Sequence, residues 1–349
     1  MSSPRVTALI NTYNYGRFVE EAIRSALAQD FPASEMEILI VDDGSTDDTR
    51  ERVAKFGDCV RYLWKRNGGQ ASAVNLGYVH ARGEIIALLD ADDVWLPKKI
   101  RRVVETFERL PACGLLLHKR WVWNTSEHTT VEDPDLPVLS GEFPPRRMDL
   151  LRYGTSSTSG LAFRKSIAGA VFPIPDSMRL LVDAYLQALL FFVSPIAILN
   201  EPLFKYRLHS SNLFHFGEGG SERMENKLRA TRALIQETRA WFDAHGFDTR
   251  APELAAFMSR FDLIEQQNRF HAKGAGRMEF FRHLRMHRRI YGPLWTRRYR
   301  AYRWLMSYVG LLLGYRGFER LRSRHGQGGA SLHLRRHLIP AETAESLSS

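Results

Sequence analysis

Cysteine is almost missing from this chain, with Cys59 and Cys113 the only two among 349 residues. They have neither CxxC spacing nor a histidine pair nearby, which argues against a disulfide framework or a structural zinc site and favours a reducing compartment. Long apolar runs are missing too. The longest, WLMSYVGLLLGY (Trp304 to Tyr315), has twelve residues, short of the roughly 18 to 20 that a membrane-spanning helix needs. It is long enough to lie in a membrane interface. The N-terminus, MSSPRVTALINTYN, has no basic stretch followed by an apolar core, so no signal peptide is expected. Neither GxGxxG after the first strand-like run nor GxxxxGK[ST] anywhere is present, which disfavours a dinucleotide site. Residues 276–325 contain no lysine, yet they hold thirteen arginines against two glutamates, a net of +11. The whole chain carries +10, so everything outside that segment sums to −1. The basic character belongs to one segment.

Apolar residues make up 44% and charged residues 25% of the chain, a globular composition with enough length for a large α/β domain plus an appendage, or for two domains. The runs VTALINTY, EILIVDD, VRYLWK, EIIALLD and GLLLHKRWVW read as strands. Between them lie GRFVEEAIRSALAQD, GSTDDTRERVAKF, GGQASAVNLGYVHARG and KKIRRVVETFERL, with helical spacing or N-cap residues. Pro97 suits the first turn of the last of these helices. Alternation of this kind predicts a mostly parallel sheet with helices on both faces. Prolines 134, 137, 144 and 145 mark a long loop or a pair of edge strands between Asn124 and Arg147. SSTSGLAFRKSIA reads as a strand leading into a helix, RLLVDAYLQALLFF as a helix, and PIAILNEPLFKYRLH as short strands around Pro202. From about Ser221 the pattern is helical. The expected division is an α/β domain over 1–220, a helical Arg-rich region over 221–325 and a loose tail over 326–349.

Ligands of parallel α/β sheets bind at the carboxyl ends of the strands. Those ends here read Asn11-Thr12-Tyr13-Asn14, Asp42-Asp43-Gly44-Ser45 and Asp90-Ala91-Asp92-Asp93, and the third crossover adds Asn67-Gly68-Gly69-Gln70. Each alone is ordinary turn chemistry; four at one edge point to a site. Asp90 and Asp92 bracket one residue, so in an extended segment both carboxylates project to the same side. Three acids within four residues raise one another's pKa values unless a cation sits among them. Mg²⁺ or Mn²⁺ prefers such oxygen ligands and bridges to substrate phosphates, which implies a nucleoside diphosphate carrying a further group. Tyr13 can stack on its base, and Asp43 can accept the base's N–H.

The strings VTALINTYNYGRFVEEAIRSALAQDFP, EILIVDDGSTDDT and NGGQASAVNLGYVHARGEIIALLDADDVW closely resemble the family 2 glycosyltransferases of GT-A fold, over roughly residues 5 to 215. The resemblance implies inverting transfer of a sugar from a nucleotide sugar, a UDP- or GDP-sugar, to a glycan or lipid-linked acceptor, in surface glycan or polysaccharide biosynthesis. It implies that Tyr13 and Asp43 hold the base with Thr12 beside them, and that Gln70 lies along the ribose or diphosphate. It further implies that Asp92 meets the metal, Asp90 lies near the ribose and Asp93 faces the sugar or acceptor. The family's catalytic acid opens a helix after the variable middle segment, which makes Asp183 of LLVDAYLQAL the expected general base and Asp176 the alternative. Val182 departs from the family there, where an acid is usual. PLFKYRLHSSN resembles the family's YR-x-H ending and implies that His209 lies near the metal and diphosphate. A sugar nucleotidyltransferase would want a glycine-rich, Lys- or Arg-bearing loop after the first strand, which NTYNYGRF lacks. A non-catalytic nucleotide-sugar or polyanion-binding protein has Val182 as its only support.

The Arg-rich region interleaves arginine with Trp, Tyr, Leu and Phe. It fits an anionic membrane surface, nucleic acid, or a plain helical subdomain with a solvated arginine face. The short apolar run favours the membrane, since a nucleic-acid site has no use for it. A cytoplasmic protein, peripheral on the inner face of a membrane, is the expected location.

Overall fold

A computed structural model describes residues 3–125, 127–132, 140–146, 156–209, 212, 221–292 and 297–326. The described residues divide into two compact units, one drawn from Met1–Arg147 with Thr155–His215 and one from Met148–Gly154 with Phe216–Ser349.

In the first unit, the apolar runs pair because only a sheet satisfies the backbone of chains buried on both faces. Strand β1 (Val6–Thr12) lies between β2 (Met36–Asp42) and β4 (Ile85–Asp90), both parallel to it, and β3 (Arg61–Trp64) extends the sheet beyond β2. The connecting helices are α1 (Gly16–Leu27), α2 (Thr49–Ala54) and α3 (Gln70–His80). Helix α1 turns Val19, Ala22, Ile23 and Ala26 into the core, at the spacing that makes one helical face. The short β5 (Val94–Trp95) follows β4, and α4 (Lys99–Arg109) leads to β6 (Leu115–Asn124). Pro97 precedes α4 rather than sitting in its first turn, because the helix starts at Lys99.

Beyond β4 the sheet departs from simple alternation. After β7 (Thr129–Glu132) and β8 (Gly141–Phe143), strand β9 (Leu161–Arg164) inserts between β4 and β6, antiparallel to both. The short α5 (Lys165–Ala168) follows it directly, as SSTSGLAFRKSIA predicts. The edge strands expected between Asn124 and Arg147 are β7 against β6 and β8 against the later strand Ile196–Leu208. Prolines 134 and 137 fall outside the described residues. Helix α6 (Val182–Val193) feeds β10 (Ile196–Leu208), a single thirteen-residue strand where the sequence predicts short ones. Pro202 does not break it, because the register against β6 shifts on either side of that residue and absorbs the missing donor. The strand order β3-β2-β1-β4-β9-β6-β10-β5 brings the carboxyl ends of β1, β2 and β4 to one edge.

The second unit is helical: α7 (Ser221–Ala244), α8 (Pro252–Lys273), α9 (Arg277–Tyr291) and α10 (Arg297–Gly326), the last kinked at Gly314. Phe270, Phe280, Leu284, Tyr315 and Phe318 form one cluster of its core, and Phe242, Leu254 and Phe257 are buried between α7 and α8. A side chain at Gly310 would meet Leu284 at 2.6 Å, so its absence lets α10 close on α9. A groove of about 670 Å³ lined by α7, α8 and Met286 of α9 has both its arginines paired, Arg232 with Glu265 and Arg239 with Asp262. No helix among the described residues is long and apolar enough to cross a membrane.

Candidate active site

Asp90 ends β4, and the chain then turns over Ala91 and Asp92, with the Asp93 amide donating to the Asp90 carbonyl at 3.0 Å. The three carboxylates therefore converge through a turn and not through the pleat of an extended segment. Oxygens of Asp90, Asp92 and Asp93 all lie within 4.8 Å of one another.

The three acids are held differently. Asp90 accepts from the Asn11 amide at 3.0 Å, across the register that pairs those residues in β1 and β4. Burial, reinforced by the Asp92 charge, pushes its carboxyl up to about 7. Asp93 is turned inward. Ser159 Oγ donates to one of its oxygens at 2.6 Å and the Arg207 amide to the other at 3.0 Å. Burial and then the Asp92 charge hold it well above the ordinary carboxylate range. Beneath it Lys99 is fully buried, donating to the Ser159 carbonyl and lying 4.2 Å from the Trp95 ring centre. Asp92 accepts from His209 Nε2 at 3.0 Å and Asn212 Nδ2 at 3.3 Å, both reaching Oδ2. Arg17 approaches His209 Nδ1 at 3.3 Å. Since arginine can only donate, Nδ1 is the acceptor and Nε2 carries the hydrogen that points at Asp92.

This donor set suits a hard divalent cation: oxygens only within the cluster, crowded, two of them carried by carboxyls whose burial makes their charge costly without one. The nearby guanidinium does not neutralise it. Arg207 Nε donates to the Asp92 backbone carbonyl at 2.8 Å, and its Nη2 donates to Glu21 Oε2 on α1 at 2.5 Å. Its plane is packed between Phe18 and Trp123. Arg207 thus staples the turn to β10 and α1.

At the ends of β1 and β2 lie the residues expected to hold a base. Tyr13 is 47% exposed, with its ring open to stacking. Thr12 is buried, and its Oγ1 has no hydrogen-bond partner among the described residues; nor has Asn11 Oδ1 beside it. Buried orphans of this kind mark a place where a bound molecule completes the hydrogen bonding. Asp43 is held in a cradle, accepting from the amides of Gly68 at 2.9 Å and Gly69 at 2.7 Å and from Lys65 at 2.8 Å. The cradle depends on Gly69, whose φ of +92° favours glycine and where a Cβ would stand 2.8 Å from the Arg179 Cα. Gly69→Ala is expected to cost about 1–3 kcal/mol of stability and to weaken nucleoside diphosphate binding, readable as a lower Tm and a raised Kd.

Gln70 opens α3, its Nε2 3.4 Å from Thr158 Oγ1 and its Oε1 3.4 Å from the Val182 amide. It joins the donor side to the start of α6, where Asp183 is the second residue. Asp183 Oδ1 accepts from the Ala184 amide at 2.8 Å. Burial raises its carboxyl, against the Ala184 amide and the Arg120 charge, and its own charge in turn helps raise Asp90. The two acids therefore share one field. Val182 is wholly buried, so an acid there would face the core, a physical reason for the departure from the family pattern. Asp176 lies in an exposed turn. Structure also brings in Ser159, Asn11, Asn212 and Lys99, whose roles no sequence motif declares. Asn11 and Asn212 had signals, one a polar residue at the end of an apolar strand, the other the close of PLFKYRLHSSN.

The family model described as glycosyl transferase family 2 matches residues 7–171. An uncharacterized glycosyltransferase of Nostoc sp. is 34% identical over 235 residues, 65% of this chain and 71% of that protein. One from Rickettsia prowazekii is 30% identical over 220 residues, 60% of this chain and 65% of its own length. Among solved structures, S. aureus TarS in complex with UDP-GlcNAc matches with a TM-score of 0.61 at 17% identity, covering 81% of each chain. The mannosyltransferase PcManGT of Pyrobaculum calidifontis, in complex with GDP-Man and Mn²⁺, matches at 0.55 and 15% identity, covering all of this chain and 88% of its own. At those identities the likeness is one of fold, the GT-A arrangement of a mostly parallel sheet between helices.

Proposed function

This chain belongs to the family 2 glycosyltransferases, and on that premise we propose that it moves a sugar, with inversion, from a nucleoside diphosphate donor to an acceptor hydroxyl. The observation that carries the reading is geometric: carboxylate oxygens of Asp90, Asp92 and Asp93 gather within 4.8 Å of one another where β4 ends, and Asp183 opens α6, whose first amide faces Gln70. The cluster suits a donor's cation, and Asp183 has the environment of a base.

Asp92 would hold Mg²⁺ or Mn²⁺, with His209 as a second ligand in the other tautomer, its hydrogen moved from Nε2 to Nδ1 and Nε2 turned from Asp92 to the ion. When bound, the ion supplies neutralisation of the negative charge on the departing diphosphate. Thr12, Tyr13 and Asp43 take the base, Gln70 and Asp90 the ribose and diphosphate side. Asp93, fastened by Ser159 and Arg207, keeps the turn in shape at the edge nearest the sugar. Asp183 accepts the acceptor's proton as the hydroxyl attacks the face opposite the leaving group. Its raised pKa brings it closer to the basicity such a transfer needs. UDP- and GDP-sugars are the donors to try first, because the TarS and PcManGT complexes contain UDP-GlcNAc and GDP-Man. A hexosyl group, a glycan or lipid-linked acceptor and a role in surface polysaccharide synthesis complete the proposal. Such an acceptor implies a cytoplasmic protein at the inner face of a membrane, with the catalytic domain over 1–220 and the basic helical region over 221–325.

Screening UDP- and GDP-sugars with Mn²⁺ for a raised Tm, then for release of nucleoside diphosphate, tests the reading. We expect one donor to raise Tm by several degrees and to be hydrolysed slowly without acceptor. Stabilisation by a donor that is never cleaved, with any acceptor glycan supplied, would overturn catalysis and leave a binding protein.

A further inference from the structure

Helix α10 is apolar on two faces, and the bundle uses one. Ser307, Gly310, Tyr315 and Phe318 are buried on the α9 side. Trp304, Leu305, Tyr308 and Leu312 fall at helical spacing on the outer side, 51%, 56%, 42% and 72% exposed. Four large side chains in one stripe on a helix are far from the scattered exposure that any surface shows.

The stripe is bordered by arginine. Arg297 and Arg300 are exposed in the first turn of α10, and Arg282 and Arg285 are exposed on α9. Phe281 on α9 continues the apolar strip, its ring 5.6 Å from that of Tyr308, with Arg285 at 5.9 Å from Phe281. The segment 276–325 that contains both helices carries +11 while the remainder of the chain carries −1.

We propose that this face of α9 and α10 docks the protein on a bilayer with anionic headgroups. Leu305 and Leu312 enter the acyl boundary, Trp304 and Tyr308 sit at headgroup level, and the flanking arginines meet lipid phosphates. Charge complementarity selects this occupant. A second copy of the chain would bring +11 against +11. Single-stranded nucleic acid would satisfy arginine and aromatic rings but offers Leu305 and Leu312 no apolar layer. The inference concerns the second unit alone and does not depend on the transfer reaction.

Flotation of the full chain with phosphatidylcholine vesicles, with and without phosphatidylglycerol, tests it. We expect partition onto the anionic vesicles only. Trp304→Ser/Leu305→Ser/Leu312→Ser should lower that partition about tenfold or more, from the apolar burial lost, with helicity and donor hydrolysis kept. Should the triple variant lose helicity, Leu312→Ser alone, at the most exposed position, serves in its place and should lower partition several-fold. Arg282→Glu/Arg285→Glu should reduce partition and its dependence on salt. Equal flotation of the serine variants, or equal partition onto neutral vesicles, overturns the proposal. So does a single-stranded oligonucleotide that binds the full chain and its serine variants alike while anionic vesicles do not bind, or a concentration-dependent dimer that the serine variants abolish.

Discussion

Asp183→Asn is expected to lower kcat by about 10²- to 10⁴-fold while leaving the donor Kd unchanged and Tm unchanged or raised. The catalytic half follows from the amide's inability to accept a proton. The stability half follows from linkage. Burial raises the Asp183 carboxyl in the folded protein, so the folded state binds that proton more tightly than the unfolded chain does. Stability from this group is then full at low pH and is lost as pH rises through the raised value. At neutral pH the wild type carries the cost of a charged, buried carboxylate, and asparagine, which keeps an oxygen for the Ala184 amide, does not. A structural aspartate would behave oppositely, its loss lowering Tm. The pH profile gives a second check. Transfer needs the ionised form, so kcat should fall on the acid side with a midpoint above the ordinary aspartate range. Asp183→Glu should shift that limb, and Asp183→Asn should erase it. An asparagine variant with near wild-type kcat would send the search to Asp176.

Asp92→Ala should cost on the order of 10³-fold in transfer, with a different signature. Here donor binding fails, and with it the rise in Tm that Mn²⁺ and nucleoside diphosphate give together. The expected result rests on position: Asp92 is the acid of the cluster that both His209 and Asn212 reach, so its removal leaves those two side chains without their common acceptor. Calorimetry of Mn²⁺ with UDP or GDP, comparing wild type with Asp92→Ala and Asp183→Asn, separates the two roles. Loss of heat is expected for the first variant only; equal heats for all three would remove Asp92 from the metal.

The N-terminal half of the sheet can be read from the chain because each of its central strands is an apolar run buried on both faces, and each run ends where polar side chains begin. Strand β9 could be read as a strand in SSTSGLAFRKSIA, but not its place in the sheet. Four residues, Leu161–Arg164, carry too little periodicity to announce that they split β4 from β6. The continuity of strand β10, read from sequence as short strands, was hidden by Pro202, whose cost the register shift absorbs. The acids of the site were conspicuous because charge next to an apolar strand is costly and needs a reason. Ser159 was not, since a neutral polar side chain bears no cost on the surface and acquires meaning only from what it touches. Arg207 stood in plain view, but its target is a backbone carbonyl, and sequence says nothing of which carbonyl a guanidinium will reach.

The insertion of β9 between β4 and β6 also orders events in time. Strands β1 to β4 make their parallel contacts within the first 90 residues and can assemble as they leave the ribosome. The acidic turn exists by then, but Ser159 arrives about 70 residues later, and the Arg207 amide, His209 and Asn212 later still. Contacts so distant along the chain form late and slowly, because the intervening loop must be closed first. A nascent or partly folded chain therefore holds its aspartates without the clasps that shape them, and the capacity to bind a donor is gained in the last step of folding.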